Sequence, residues 1–107
     1  MDHKRFKIKE IINDYKLVLK NLGITVERVI LFGSFAKGSA QKDSDIDLII
    51  VSKDFKKMNL RQRLEVLGIA AARIMQPIEA KGYTLKEIAS PSKPKFLSHI
   101  LKIGMAV

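Results

Sequence analysis

Asp45 and Asp47 stand two residues apart at the head of an apolar run, Leu48-Ile49-Ile50-Val51. In a strand, residues i and i+2 project from one face, so this spacing points both carboxylates the same way. Adjacent carboxylates repel unless a cation sits between them, and hard oxygen donors suit Mg2+, which usually shares its shell with substrate phosphates. Upstream, separated from Asp45 by ten residues, Gly33-Ser34 closes another apolar run. Glycine lets the main chain approach a phosphate closely, backbone N–H groups at a helix start point outward, and the Ser34 hydroxyl can donate to a phosphate oxygen. Together these residues suit metal-assisted phosphoryl chemistry. One ion would hold a triphosphate and a second would lower the pKa of an attacking hydroxyl. A plainer reading, in which the acids merely begin a strand after a Gly-Ser turn, stays open for an Asp-x-Asp taken alone.

Other sites fail on individual residues. Gly33 and Gly38 have P-loop spacing, but Ser39 and Ala40 stand where Lys and Ser/Thr are needed. An EF-hand loop counted from Asp43 reaches Leu48 at the sixth position, where glycine is required. Ser34 has no Gly-x-Ser-x-Gly elbow, and the two histidines, His3 and His99, lie in no triad-like pattern.

The elements that must position these residues are legible from periodicity. Ile8, Ile11, Ile12, Tyr15, Val18, Leu19 and Leu22 form one stripe of a helix over Lys4–Leu22, which Gly23 ends. Val26–Phe32 reads as a strand buried mostly on both faces, and Ile46–Val51 as a second buried strand. The small, polar stretch Ser34–Ala40 reads as a loop with a short helix. Asn59 caps a helix over Leu60–Met75 with a core stripe of Leu60, Leu64, Leu67, Ala71 and Ile74, halted by Pro77. Ile78–Tyr83 makes a third strand. Thr84 and Glu87 form a capping box for a short helix. Pro94 opens a final helix with Phe96, Leu97, Ile100 and Leu101 facing inward, and Met105–Val107 adds an edge strand. This order predicts an α/β (α+β) domain, a small mixed sheet covered by helices.

At 107 residues the chain suits one domain spanning 1–107, burying roughly two thirds of its unfolded surface. It has no cysteine, which excludes disulfides, thiolate metal sites and a cysteine nucleophile. No apolar stretch approaches the ~20 residues of a membrane span. The opening MDHKRFKIKE lacks an apolar signal core, so a cytoplasmic protein is expected. Twenty Lys and Arg against 11 Asp and Glu give a net charge of +9, which favours polyanions or acidic partners. Direct nucleic-acid binding is disfavoured, because the basic residues are dispersed and do not alternate with aromatic ones.

The chain resembles the nucleotidyltransferase superfamily related to DNA polymerase β. More closely it resembles the minimal nucleotidyltransferases, the MNT proteins often encoded beside HEPN-domain proteins. Gly33-Ser34-Phe35-Ala36-Lys37-Gly38-Ser39-Ala40 follows that branch's Gly-Ser-x-Ala-Arg-Gly-x-Ala, and Ser44-Asp45-Ile46-Asp47-Leu48 follows its Ser-Asp-x-Asp-Leu. The resemblance implies a polymerase β-like fold and a third metal carboxylate on a later strand. Glu79, in Pro77-Ile78-Glu79-Ala80-Lys81, holds that place, where the family usually has Asp. Lys37 stands where Arg is common, keeping the charge without the bidentate fork. The implied activity is Mg2+-dependent transfer of a nucleoside monophosphate, AMP from ATP in the simplest case, to a hydroxyl of a partner protein. The implied partner is a HEPN-domain toxin, with this chain as its antitoxin in a possible homo- or hetero-oligomer. The residues allow two readings: catalysis, with Gly33, Ser34 and Lys37 on the nucleotide and Asp45, Asp47 and Glu79 on metal, or a lapsed site that neutralises its partner by docking. Lys42, Lys53, Arg61 and Arg63 read as solvated, His3 and His99 as structural or surface residues, Tyr83 as core, and Met58, Met75 and Met105 as packing.

Overall fold

The structure, a computed structural model, describes residues 3–41 and 44–107. Lys42 and Asp43, and the side chain of His3, lie outside the described residues. Helix α1 (His3–Asn21) is followed by strand β1 (Arg28–Phe32), the one-turn helix α2 (Gly33–Lys37) and strand β2 (Ile46–Val51). A 3-10 turn (Lys53–Lys57) leads to helix α3 (Leu60–Arg73) and strand β3 (Ile78–Tyr83). Helices α4 (Leu85–Ala89) and α5 (Lys95–Ile103) and the two-residue strand β4 (Met105–Ala106) complete the chain. The sheet is mixed, in the order β3-β2-β1-β4. β1 runs antiparallel to β2 and β4, whereas β2 and β3 are parallel and joined by the α3 crossover.

The two sheet faces carry different loads. Val29, Leu31, Ile46, Leu48, Ile50 and Ala80 face α1 and α3, where Ile8, Ile12, Tyr15, Leu19, Leu67 and Ala70 close the main core. Tyr15 anchors it by donating its hydroxyl hydrogen to the Leu67 carbonyl at 2.8 Å. The opposite face is covered by a smaller cluster, in which Ile49 and Val51 meet Leu97 and Ile100 of α5. Alternation along each strand produces this division, because odd and even residues reach opposite sides. α5 covers only part of its face, and the uncovered end holds the acidic residues.

Five expectations need correction. β1 begins at Arg28 rather than Val26, and its burial alternates, with only Val29 and Leu31 fully enclosed. The buried face of α3 comprises Arg63, Leu67, Ala70 and Ala71, while Leu60 and Leu64 are exposed. Arg63 is therefore not on a solvated face. Its guanidinium donates to the carbonyls of Met58, Gly82 and Phe55 and pairs with Glu87 at 2.7 Å. Five N–H donors met by three carbonyls and a carboxylate make its burial tolerable. Phe96 is exposed, its ring lying under the Lys81 ammonium at 4.5 Å, and Met75 and Met105 are exposed as well. Arg61 is solvated as expected, pairing only with Glu65 on the helix surface.

The capping signals act as read. Thr84 and Glu87 form their reciprocal box, and Asn59 forms a second with Gln62. Glycine is required where β3 passes the 3-10 turn: a Cβ on Gly82 would lie 2.7 Å from the Phe55 ring.

Candidate active site

Register places Glu79 beside Asp47. Asp47 is the cross-strand partner of Phe32 on β1 and of Glu79 on β3, so the three form one row on the partly open face. The next row, Ile30, Ile49 and Lys81, lies under α5. Asp45 precedes β2 by one residue and is exposed, as is Glu79, whereas Asp47 is half-buried. Burial first, and then the negative charges of Glu79 and Asp45, raise the Asp47 carboxyl above its ordinary value of 3.8. Ionised Asp47 is therefore held at a cost that a cation would relieve.

Gly33 is fitted to Asp47. Its φ of +74° is a left-handed conformation, and a Cβ there would collide with the Asp47 Oδ2. The Gly-Ser pair thus lets the turn after β1 lie directly against the carboxylate. No side chain caps the start of α2, and its end closes at Gly38, also left-handed with φ +75°. The Ser34 carbonyl accepts the N–H groups of Gly38 and Ser39, fixing the turn. Lys37, at the end of α2, is exposed.

The donor set suits a hard divalent cation, since it consists of carboxylate oxygens gathered about a half-buried Asp47. Among the described residues, no three His, Asp or Glu groups stand close enough to share one ion. The acids are neighbours, with Asp45 and Glu79 spread into solvent around Asp47.

Lys53 lies beyond the far end of β2 and is exposed, away from Asp47. Tyr15 is fully buried and hydrogen-bonded, which removes it as an acceptor for a nucleotide. Tyr83 is half-buried beside Ile88, and burial raises its hydroxyl pKa. His99 is exposed on α5 yet faces the Gly33 turn across a cavity of about 390 Å3, lined also by Phe32, Ala36, Lys37 and Ile103. Reading His99 as a surface residue missed this placement. The only local signal is its four-residue spacing from Ile103, which puts both on one helix face. No helix among the described residues is long and apolar enough to cross a membrane.

Comparison with known proteins identifies the family and the fold. The family model described as a nucleotidyltransferase domain matches residues 7–98. Two Methanocaldococcus jannaschii relatives are similar in sequence. "Putative protein adenylyltransferase MJ0141" is 37% identical over 57 residues, covering 53% of this chain and 54% of that protein. "Putative protein adenylyltransferase MJ1379" is 33% identical over 61 residues, covering 57% of this chain and 60% of that protein. The chain thus spans little more than half the length of these curated relatives in its matches. In fold, it superposes on a crystal structure of a toxin–antitoxin with AMP-PNP at a TM-score of 0.62 and 19% identity, covering 88% of this chain and 69% of that one. A nucleotidyltransferase-like protein from Sulfolobus solfataricus gives a TM-score of 0.56 at 24% identity, covering 92% and 83%. With the family match running from α1 into α5, across the Gly-Ser turn and the Asp47–Glu79 row, the chain belongs to the nucleotidyltransferase domain family.

Proposed function

We propose that the chain transfers AMP from ATP to a hydroxyl of a partner protein. The observation that carries this is the Asp47–Glu79 row pressed against Gly33, with Asp45 at its edge. Asp45, Asp47 and Glu79 are the residues that would draw together to hold Mg2+, which would supply charge neutralisation at the phosphates and acidify the acceptor hydroxyl. The acceptor oxygen bonds to the α-phosphorus, the bond from that phosphorus to the β-bridging oxygen breaks, and pyrophosphate departs. The hydroxyl proton is taken up beside Glu79 and passed to solvent. Gly33 and Ser34 bear on the phosphates, and Lys37 adds a positive charge at the end of their turn.

The partner is a protein, and a HEPN-domain toxin neutralised by this chain is the reading we favour. Support comes from the names of the sequence relatives as protein adenylyltransferases and from the toxin–antitoxin fold neighbour. A second reading, neutralisation by docking alone, rests on one observation: among the described residues, no three acidic groups stand within one ion's reach.

Label transfer separates the two. ATP carrying label on the α-phosphate, with Mg2+ and an extract of the native cell, is compared between wild type and an Asp45→Asn, Asp47→Asn double variant. Transfer requires a labelled protein band with wild type alone and none from γ-labelled ATP. Docking alone leaves both lanes blank while a partner co-purifies equally with both forms.

A further inference from the structure

Leu60, Leu64 and Phe96 carry the apolar pattern of core residues, yet they are 67%, 55% and 42% exposed. All three converge on one hollow of about 510 Å3, walled by α3, β3 and the start of α5. Single exposed leucines need no explanation, but an apolar patch gathered around a hollow from two helices marks an interaction site. Its floor is firmly built. Arg63, bonded to three carbonyls and paired with Glu87, fixes α3 against β3, and the box of Thr84 and Glu87 fixes the start of α4. The hollow is therefore preformed, and little order has to be imposed on it by a partner.

The rim is basic. The Lys81 ammonium lies over the Phe96 ring, and the Lys93 ammonium donates to the Ser90 carbonyl at 3.0 Å, so both are oriented and keep their full charge. Glu87, the acid on the wall, is neutralised by Arg63. Apolar walls with a positive rim are complementary to an acidic segment that bears a large apolar side chain. A second copy of this chain, itself at +9, is disfavoured by the same charge. Nucleic acid would call for more phosphate-binding cations in place of the leucines. Lys81 follows Glu79 by two residues on β3 and shares its face, so the hollow opens about 7 Å beyond the acidic row.

We infer that this hollow anchors the acceptor protein: an apolar side chain in an acidic segment seats among Leu60, Leu64 and Phe96, and the segment runs past Lys81 to bring its hydroxyl beside Glu79. The inference rests on the nucleotidyl-transfer reading and names the chemistry of the partner surface that reading requires.

The kinetics of AMP transfer to the acceptor isolated as the labelled protein of the native extract test this, with ATP and Mg2+. Wild type is compared with Leu64→Glu, Leu64→Ser and Lys93→Gln, and with Ile69→Glu as a control on α3 away from the hollow. Leu64 and Ile69 are exposed, so their variants should keep the wild-type melting temperature. The expected result is a rise of about tenfold or more in the acceptor KM of Leu64→Glu, with kcat held within about twofold. Leu64→Ser should show a smaller rise, and Lys93→Gln a rise that fades as salt screens its charge. ATP affinity, read by calorimetry, should stay level in every variant, and Ile69→Glu should match wild type throughout. An unchanged acceptor KM in Leu64→Glu overturns the inference and leaves nucleotidyl transfer intact. An equal loss of ATP affinity also overturns it and assigns the hollow to the nucleoside. An acceptor KM that Lys93→Gln leaves unchanged at low salt refutes the acidic partner. Label on this chain itself, lost in Leu64→Glu, gives the surface to a second copy instead. Wild type that labels nothing ends the transfer reading, and the inference falls with it.

Discussion

A methyl group added at Gly33 would enter space held by the Asp47 carboxylate. Oδ2 collides with it, Cγ lies at 3.0 Å and Cβ at 3.3 Å from the added atom. Rotating the carboxylate moves Oδ2 but leaves the Cβ contact, so the turn and the strand must part. Gly38 is a matched control, with φ +75° against +74°, and nothing within 4 Å of its added Cβ. Gly38→Ala therefore meets only left-handed strain, about 1 kcal/mol. Gly33→Ala meets the same strain plus overpacking of ~1–3 kcal/mol, for a total of about 2–4 kcal/mol. Displacing Asp47 by about 1 Å should also lower any transfer rate by about 100-fold. Urea unfolding of both variants, with Asp47→Ala and the Gly33→Ala, Asp47→Ala double variant, measures the collision directly. Because Asp47→Ala removes Cγ and Oδ2, it should return much of the stability lost in Gly33→Ala. Equal destabilisation by Gly33→Ala and Gly38→Ala, or strictly additive effects in the double variant, would refute the close approach of Gly33 to Asp47.

Other expectations follow from the burial and charge of named groups. Because the folded state holds the Asp47 proton more tightly than the unfolded chain does, ionising Asp47 opposes folding. That penalty is absent below the unfolded value near 3.8 and complete once the pH passes the raised folded value, so in the absence of metal Asp47→Asn should raise the neutral-pH melting temperature while abolishing transfer. Arg63→Ala removes the buried bonds to three carbonyls and to the Glu87 carboxylate and should cost about 3 kcal/mol in denaturant unfolding, whereas Arg61→Ala, on the surface, should cost under about 0.5 kcal/mol. Burial pushes the Glu87 pKa up, but the hydrogen bonds from Arg63 and Thr84 outweigh it and hold the carboxyl below 4.5. The stability this supplies is complete above that pH and lost as the pH falls through the lower folded value, so the wild-type and Glu87→Gln acid-unfolding curves should converge there. Tyr15→Phe removes the buried hydroxyl's bond to the Leu67 carbonyl and should cost about 1 kcal/mol by the same unfolding measurement.

The elements whose causes are local were readable in the sequence. β2 occupies Ile46–Val51 as its apolar run predicts, β3 occupies the expected Ile78–Tyr83, and Thr84 caps α4 through its own short-range hydrogen bonds. Leu60 and Leu64 were misassigned to the core because periodicity counts apolar residues on one helix. It does not register that Gly82, Phe55 and Glu87, distant in sequence, supply partners for Arg63. Phe96 was misassigned for a related reason: its ring meets the Lys81 ammonium of β3 and stays exposed. The site divides along the same line. Asp45 and Asp47 are joined by strand alternation, which spacing alone reveals. Glu79 joins them through parallel pairing across the α3 crossover, and only family resemblance pointed to it. The Gly33 contact with Asp47 and the approach of His99 to the Gly33 turn depend on how strands and helices pack, which no local pattern encodes.

The central claim is that the acidic row at Asp47 directs AMP onto a protein hydroxyl. An intact-mass measurement tests it most directly, made on the co-purifying partner after incubation of the complex with ATP and Mg2+. The account predicts that the partner gains the mass of a whole number of AMP groups with wild type and none with Asp47→Asn. An unmodified partner with wild type, or the same gain with Asp47→Asn, would contradict it.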